Sequence, residues 1–236
     1  MLSIVIPTLN EENYLPRLLN CIKKQNFKDY EIIISDAESK DKTKEIAKDF
    51  RCKLVKGGLP SIGKNAGAKV GKGDLILFLD ADVLLPDNFF KNALKEFKER
   101  DLDVTTFCLI PISKSRMPKI LFNIFYNYPL RIFEKRWARG AMGILVKKEL
   151  HKSLKGFDEK MKIFEDVDYV QRSLKFGKFG VIKTTKIFAC LRRYKREGWI
   201  RVGLKYGLGE AYMKLFGPIK REIFKYEFNY PKNKIF

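Results

Sequence analysis

Short apolar runs and helix-spaced apolar positions alternate along the first half of the chain. Residues 2–7, 31–35, 54–55, 75–79 and 104–110 are runs of Ile, Leu, Val and Phe, the pattern of strands buried on both faces. Between the first two runs, Tyr14, Leu15, Leu18, Leu19 and Ile22 recur at helical spacing. After the second, Ser39 is expected to cap a helix carrying Thr43, Ile46, Ala47 and Phe50. The Gly-rich stretch 57–73 holds a weak helix. Pro86 is expected to open a helix with Phe89, Phe90, Ala93, Leu94 and Phe97 on one face. Its charges, Asp87 early and Lys98 and Arg100 late, suit the helix dipole. This β-α-β-α order predicts an α/β domain on a parallel, doubly wound sheet.

The second half is less regular. Residues 117–137 mix Ile, Leu, Phe and Tyr with Lys and Arg and are broken by Pro129. Residues 142–146 and 181–183 read as strands, and 165–176 as a helix ended by Gly177, with Val167, Val170 and Leu174 as its buried stripe. A last helix spans 199–216, ahead of a basic and aromatic tail. His151, within Lys147-Lys148-Glu149-Leu150-His151-Lys152, reads as a solvated helical residue rather than a metal ligand.

Composition narrows the partners. Lys and Arg outnumber Asp and Glu by 48 to 28, a formal charge of +20 that fits a polyanion: substrate phosphates, an anionic membrane surface or nucleic acid. Cys21, Cys52, Cys108 and Cys190 are scattered without metal-site spacing, as expected of reduced thiols inside a cell. The N-terminus lacks a basic, cleavable leader pattern, and no uncharged apolar stretch approaches the ~20 residues of a spanning helix. The expectation is a cytoplasmic protein, at most peripheral at the cytoplasmic face of a membrane.

Candidate chemistry gathers where strands end. Asp80 and Asp82 close the apolar run 75–79, at the carboxyl end where open α/β sheets place ligands. Alternate strand residues point the same way, so both carboxylates can converge on one divalent cation, Mg²⁺ or Mn²⁺, carrying a diphosphate. A turn with two solvated aspartates is the plain alternative. The first strand runs into Pro7-Thr8-Leu9-Asn10-Glu11-Glu12, where Pro7 fixes the exit and the acids also suit a helix start. Asp36 ends the second strand, able to hold a nucleobase N–H or to serve as an ordinary loop aspartate.

In order, these pieces resemble the inverting nucleotide-sugar glycosyltransferases of family 2, which have the GT-A fold. The resemblance rests on V-I-P-T-x-N-E-E, I-I-x-S-D-x-x-S-x-D-x-T and G-K-N-x-G-x-x-x-G-K-G-D-x-I-x-F-L-D-A-D. It closes on Gly156-Phe157-Asp158 and Phe164-Glu165-Asp166-Val167-Asp168, so that it spans roughly residues 2 to 180. It implies a mostly parallel, Rossmann-like sheet with a C-terminal acceptor-side helical extension. By the same resemblance, Pro7, Thr8, Leu9 and Glu11 lie around the nucleoside and Asp36 holds the base. Lys64 and Asn65 lie near ribose and diphosphate, and Asp80 and Asp82 near ribose and metal. It implies a donor half at 1–110, an acceptor and base half at 111–198, and a C-terminal helix and tail at 199–236. The donor would be UDP- or GDP-linked, the acceptor a glycan or lipid-linked sugar, and no nucleic acid is expected.

The E-D-x-D pattern implies Asp166 as general base, with Glu165 and Asp168 on the acceptor side; three acids at a helix start equally flatter its dipole. Arg192-Arg193-Tyr194 with Gly198-Trp199 resembles a segment of some family members in which paired arginines clamp a diphosphate; a basic solvated loop is the alternative. The chain departs from the family in carrying Asp36-Ala37-Glu38-Ser39 where many members have D-D-G-S. It also has a single histidine, His151. Residues 120–126, flanked by Lys119, Arg131, Lys135, Arg136 and Arg139, fit either a helix packed on the sheet or one at a membrane interface. Transfer to a polyprenyl phosphate is the rival within the enzyme class. A non-catalytic basic membrane- or RNA-binding module is the rival outside it.

Overall fold

The computed structural model describes residues 1–134 and 138–219. Among these, eight strands form one sheet: β1 (Leu2–Thr8), β2 (Tyr30–Asp36), β3 (Lys53–Lys56), β4 (Leu75–Leu79), β5 (Val83–Leu84), β6 (Val104–Pro111), β7 (Gly143–Lys147) and β8 (Phe179–Ala189). Their order is β3-β2-β1-β4-β7-β6-β8-β5. The helices are α1 (Leu15–Lys23), α2 (Thr43–Asp49), α3 (Pro60–Val70), α4 (Phe89–Glu99), α5 (Met117–Phe122), α6 (Tyr128–Ile132), α7 (Lys148–Ser153), α8 (Glu165–Ser173), α9 (Arg192–Glu197) and α10 (Trp199–Phe216), with a π-helical turn (Asn123–Asn127) between α5 and α6.

Two apolar layers explain why the strands read as unbroken apolar runs. Ile4, Ile6, Leu77 and Leu79 face α1 and α4 through Leu15, Leu18, Phe89 and Phe90. Val5, Ile76 and Phe78 face the other way, towards Ala68 of α3 and Tyr169 and Val170 of α8. Each buried Leu, Ile or Phe in these layers contributes roughly 1.5–3 kcal/mol relative to exposure.

The sheet is mixed, which corrects the purely parallel expectation while keeping a mostly parallel one. β1 to β4 are parallel, but β7 runs antiparallel between β4 and β6, and the two-residue β5 runs antiparallel on β8. A strand buried on both faces looks the same in sequence whichever way it runs, so the reversal leaves no mark there. β8 is much longer than residues 181–183 and takes a register shift opposite Phe107 and Cys108.

Several local expectations shift. Ser39 does not cap α2: its Oγ accepts the N–H of Asn10 at 2.9 Å, and the helix begins at Thr43. Pro86 and Asp87 lie outside α4, which starts after Asn88 in left-handed conformation (φ 58°). The stretch 57–73 carries a full eleven-residue helix, α3. Val167 and Val170 are buried as expected, but α8 ends at Ser173 and Leu174 just beyond it is exposed. Arg192 and Arg193 open a helix, α9, rather than a loop. His151 is buried, and its Nδ1 meets the Tyr169 hydroxyl at 2.8 Å among the rings of Phe78 and Phe157. Residues 120–126 divide: Phe122 packs inward, while Ile120, Ile124 and Phe125 face outward. Lys135, Arg136 and the tail beyond residue 219 lie outside the described residues.

Candidate active site

The carboxyl ends of β1 and β2 lie side by side, because the parallel register opposes Thr8 to Asp36. Asp36 is buried there; Oδ1 accepts the Thr8 hydroxyl at 3.1 Å and Oδ2 accepts the Ser39 N–H at 2.8 Å. Pro7 leaves the strand against Gly63, and Leu9 follows half-buried. Asn10 then takes a left-handed conformation (φ 57°), which turns the chain so that the Glu11 N–H reaches the Thr43 hydroxyl at 2.8 Å.

β4 ends at Leu79, and Asp80 continues the Phe78 side of the sheet towards α3 and α8. Lys64 of α3 is 2% exposed, and its ammonium lies 2.5 Å from Asp166 Oδ1 and 3.1 Å from Glu165 Oε1. One cation thus faces three carboxylates, those of Asp166, Glu165 and Asp80. Burial alone would lower the Lys64 pKa, but these three outweigh it and hold the ammonium above its ordinary value. The surplus negative charge then falls on the acids. Asp80 is pushed up to about 7, by burial first, with Lys64 pulling the other way and Asp166 adding repulsion. Asp166 is raised as well, again by burial before the opposing pull of Lys64.

A second cluster forms around Arg192. Arg192 of α9 grips Glu11 through two parallel hydrogen bonds of 3.0 and 2.7 Å, and its Nε lies 2.9 Å from Asp82 Oδ2. Its guanidinium also covers the Tyr14 ring at 4.9 Å. Burial raises Glu11 to about 7 against the pull of Arg192, while Asp82 and Glu11 together hold Arg192 above its usual value despite its burial. Asp80 thus faces Lys64 while Asp82 is paired with Arg192, and Asp82 adds through space to the rise in the Asp80 pKa.

Among the described residues no three His, Cys, Asp or Glu side chains converge as a metal cage. Asp80 and Asp82 nonetheless fit a divalent cation that takes most of its oxygens from a diphosphate and water, since Mg²⁺ sites commonly use one or two carboxylates. That Asp82 already holds a guanidinium shows that the position suits positive charge.

Other candidates are engaged elsewhere. Asn65 clamps α3 to the loop before α8: its amide accepts the Phe157 N–H at 2.8 Å and donates to the Phe157 carbonyl and to Glu159, each at 2.9 Å. Arg193 turns away from Arg192 and donates to the Tyr206 hydroxyl of α10 at 2.5 Å. Asp168 is buried against Arg172 Nε at 2.7 Å, on another side of α8 from Asp166. Sequence reasoning missed Tyr14, whose position three residues after Glu11 gives a weak signal, and the bridge from Lys64 to Asp166, which gives none.

Comparison with known proteins gives this geometry a context. The sequence profile "Glycosyl transferase family 2" matches residues 3–148. The poly(ribitol-phosphate) beta-N-acetylglucosaminyltransferase TarS of Staphylococcus aureus is 28% identical over 130 residues, 51% of this chain and 23% of that protein. A dolichyl-phosphate beta-glucosyltransferase, ALG5A of Trichomonas vaginalis, is 36% identical over 113 residues, 41% of this chain and 35% of that protein. The chain spans well under half the length of these curated relatives. Among solved structures, TarS 1–349 superposes with a TM-score of 0.66 at 22% identity, covering 80% of this chain and 60% of that one. The mannosyltransferase PcManGT of Pyrobaculum calidifontis, solved with GDP-Man and Mn²⁺, superposes with a TM-score of 0.65 at 18% identity, covering 93% and 71%. With the profile covering more than half of its residues and the GT-A architecture beneath it, the chain belongs to glycosyl transferase family 2.

Proposed function

We propose that this chain transfers a sugar from a UDP- or GDP-linked donor to a hydroxyl acceptor with inversion, with Asp166 as general base. One observation carries the reading: the half-buried carboxylates of Asp80 and Asp166 face the buried ammonium of Lys64 at the carboxyl end of the sheet. Lys64 favours the ionised, proton-accepting form of Asp166, and burial raises its affinity for a proton. A carboxylate whose pKa is raised accepts a proton more readily, as a general base must. In this reading Pro7, Thr8, Leu9 and Asp36 border the nucleoside and residues 1–110 form the donor half. The acceptor approaches from residues 111–198, past Glu165. Asp80 and Asp82 would hold Mg²⁺ or Mn²⁺, which when bound offsets charge on the departing diphosphate. Arg192 is positioned to turn from Asp82 to the phosphates, an exchange its guanidinium fork suits. Asp166 takes the acceptor proton as the acceptor oxygen attacks the anomeric carbon, and one displacement inverts that centre. A glycan or lipid-linked sugar is the acceptor; TarS, solved with UDP-GlcNAc, and PcManGT, solved with GDP-Man, support the two donor classes.

A thermal-shift screen of UDP, GDP, CDP and dTDP, with and without Mn²⁺, tests the donor half of this reading. UDP or GDP should raise the melting temperature, more so with Mn²⁺; saturation at a hundred times Kd adds about 2.7 kcal/mol. No shift with any of the four would remove the donor site.

A further inference from the structure

The last helix of the described residues, α10, is apolar on the wrong side for a solvated one. α10 spans eighteen residues, about 27 Å at the helical rise. Val202, Gly209 and Met213 are its buried residues. Met213 joins a small core of Met161, Ile163 and Val167, with Phe164 packed against it. Ile200, Leu204, Leu208 and Leu215 fall on roughly the opposite side of the helical wheel, and they are 81%, 59%, 60% and 75% exposed. At its start, Trp199 meets Phe122 of α5 edge to face at 6.1 Å. Along α5 to α6, Ile120, Ile124, Phe125 and Tyr128 are also open, from 49% to 71% exposed. Large exposed apolar patches of this kind mark interaction sites.

Charge selects the occupant. Exposed Lys119, Arg131, Arg201 and Lys214 interleave with these apolar residues, and residues 113–133 contain no acid. Glu210 of α10 is paired with Arg139. Basic side chains among aromatic and branched apolar ones suit the boundary between anionic headgroups and acyl chains. A second copy of this chain, at +20, would instead be repelled.

We infer that the outer faces of α10 and of α5 to α6 seat the protein on an anionic lipid bilayer. The inner side of α10 gives this docking a catalytic consequence. A Cβ on Gly209 would lie 2.3 Å from the Phe164 ring, so this glycine lets α10 close over Phe164, which also packs on Tyr206. Phe164 holds a left-handed backbone (φ 61°) directly before Glu165 and Asp166. A bilayer on the far side of α10 therefore lies one helix away from the segment that aims the base, and the acceptor is a lipid-linked one. This last step rests on the glycosyltransferase reading; the docking surface does not.

Flotation of the full chain with vesicles of phosphatidylcholine plus phosphatidylglycerol, against phosphatidylcholine alone, tests the surface. The protein should float with the anionic vesicles only. The double variant Leu204→Glu/Leu208→Glu should lower that fraction about tenfold or more, given the apolar area two leucines bury. Its melting temperature and its affinity for the nucleoside diphosphate that binds the parent should be unchanged. Equal flotation of parent and variant would assign binding to another part of the chain and overturn the proposal. So would absence of flotation, or a concentration-dependent dimer that the double substitution abolishes. A parent that floats but binds no nucleoside diphosphate would sink the donor reading and leave the surface standing.

Discussion

Two aspartates two residues apart on α8 meet different surroundings: Asp166 faces Lys64 and Asp168 is locked to Arg172. The helical period separates them by about 200°, so both cannot face one cleft. Asp166→Asn should lower release of nucleoside diphosphate by ~10²–10⁴-fold with donor affinity kept. Asp168→Asn should keep turnover and lose on the order of 1–3 kcal/mol of stability with its buried, charge-assisted bond. A dead Asp168 variant beside a near-normal Asp166 one would reassign the base. His151 gives a prediction in pH. Burial, then Arg172, lowers its pKa to about 4 from an unfolded value of 6.5. The unfolded chain binds the proton first, so the associated stability is complete above pH ~6.5 and lost as pH falls through ~4, on the order of 3 kcal/mol in all. His151→Gln should flatten the fall in melting temperature across that window; an unchanged slope would mean that other groups carry it. Nothing in Lys-Lys-Glu-Leu-His-Lys betrays this burial, because Tyr169, Phe78 and Phe157 supply it from elsewhere in the chain.

The strands and most helices were readable at the scale of the element because their apolar periods are local. Their ends were not. The start of α2 depends on Asn10 and Glu11 from another loop, whose N–H groups bond Ser39 and Thr43. α3 looked weak because glycines lower helix propensity, yet those glycines are what dock it. At Gly67 a Cβ would meet Val5 Cγ1 at 2.3 Å and Ser35 Oγ at 2.8 Å. Gly67→Ala should raise intrinsic helix propensity and still destabilise the protein by about 1–3 kcal/mol, through overpacking against β1. Chemical denaturation checks the sign: a neutral or stabilising result would mean that α3 can move off the sheet. Since α3 carries Lys64, the variant should also weaken nucleotide binding.

In the whole molecule, charges from six elements meet at one end of a mixed sheet. Glu11 follows β1, Asp36 ends β2, Asp80 and Asp82 follow β4, Lys64 comes from α3, Asp166 from α8 and Arg192 from α9. The acids were legible as candidates because each stands at a strand end or a helix start, where the apolar pattern breaks. Their partners were not: Lys64 and Asp166 are 102 residues apart, and Arg192 and Glu11 are 181 apart. In the proposed function, this end of the sheet binds a nucleoside diphosphate with a divalent cation. Calorimetric titration of UDP and GDP, with and without Mn²⁺, into the parent protein and Asp82→Asn tests it most directly. One of the two nucleotides should bind the parent, Mn²⁺ should strengthen it, and Asp82→Asn should abolish the Mn²⁺-dependent part while its melting temperature holds. Equal, Mn²⁺-dependent binding by parent and variant, or no binding of either nucleotide to the parent, would contradict it.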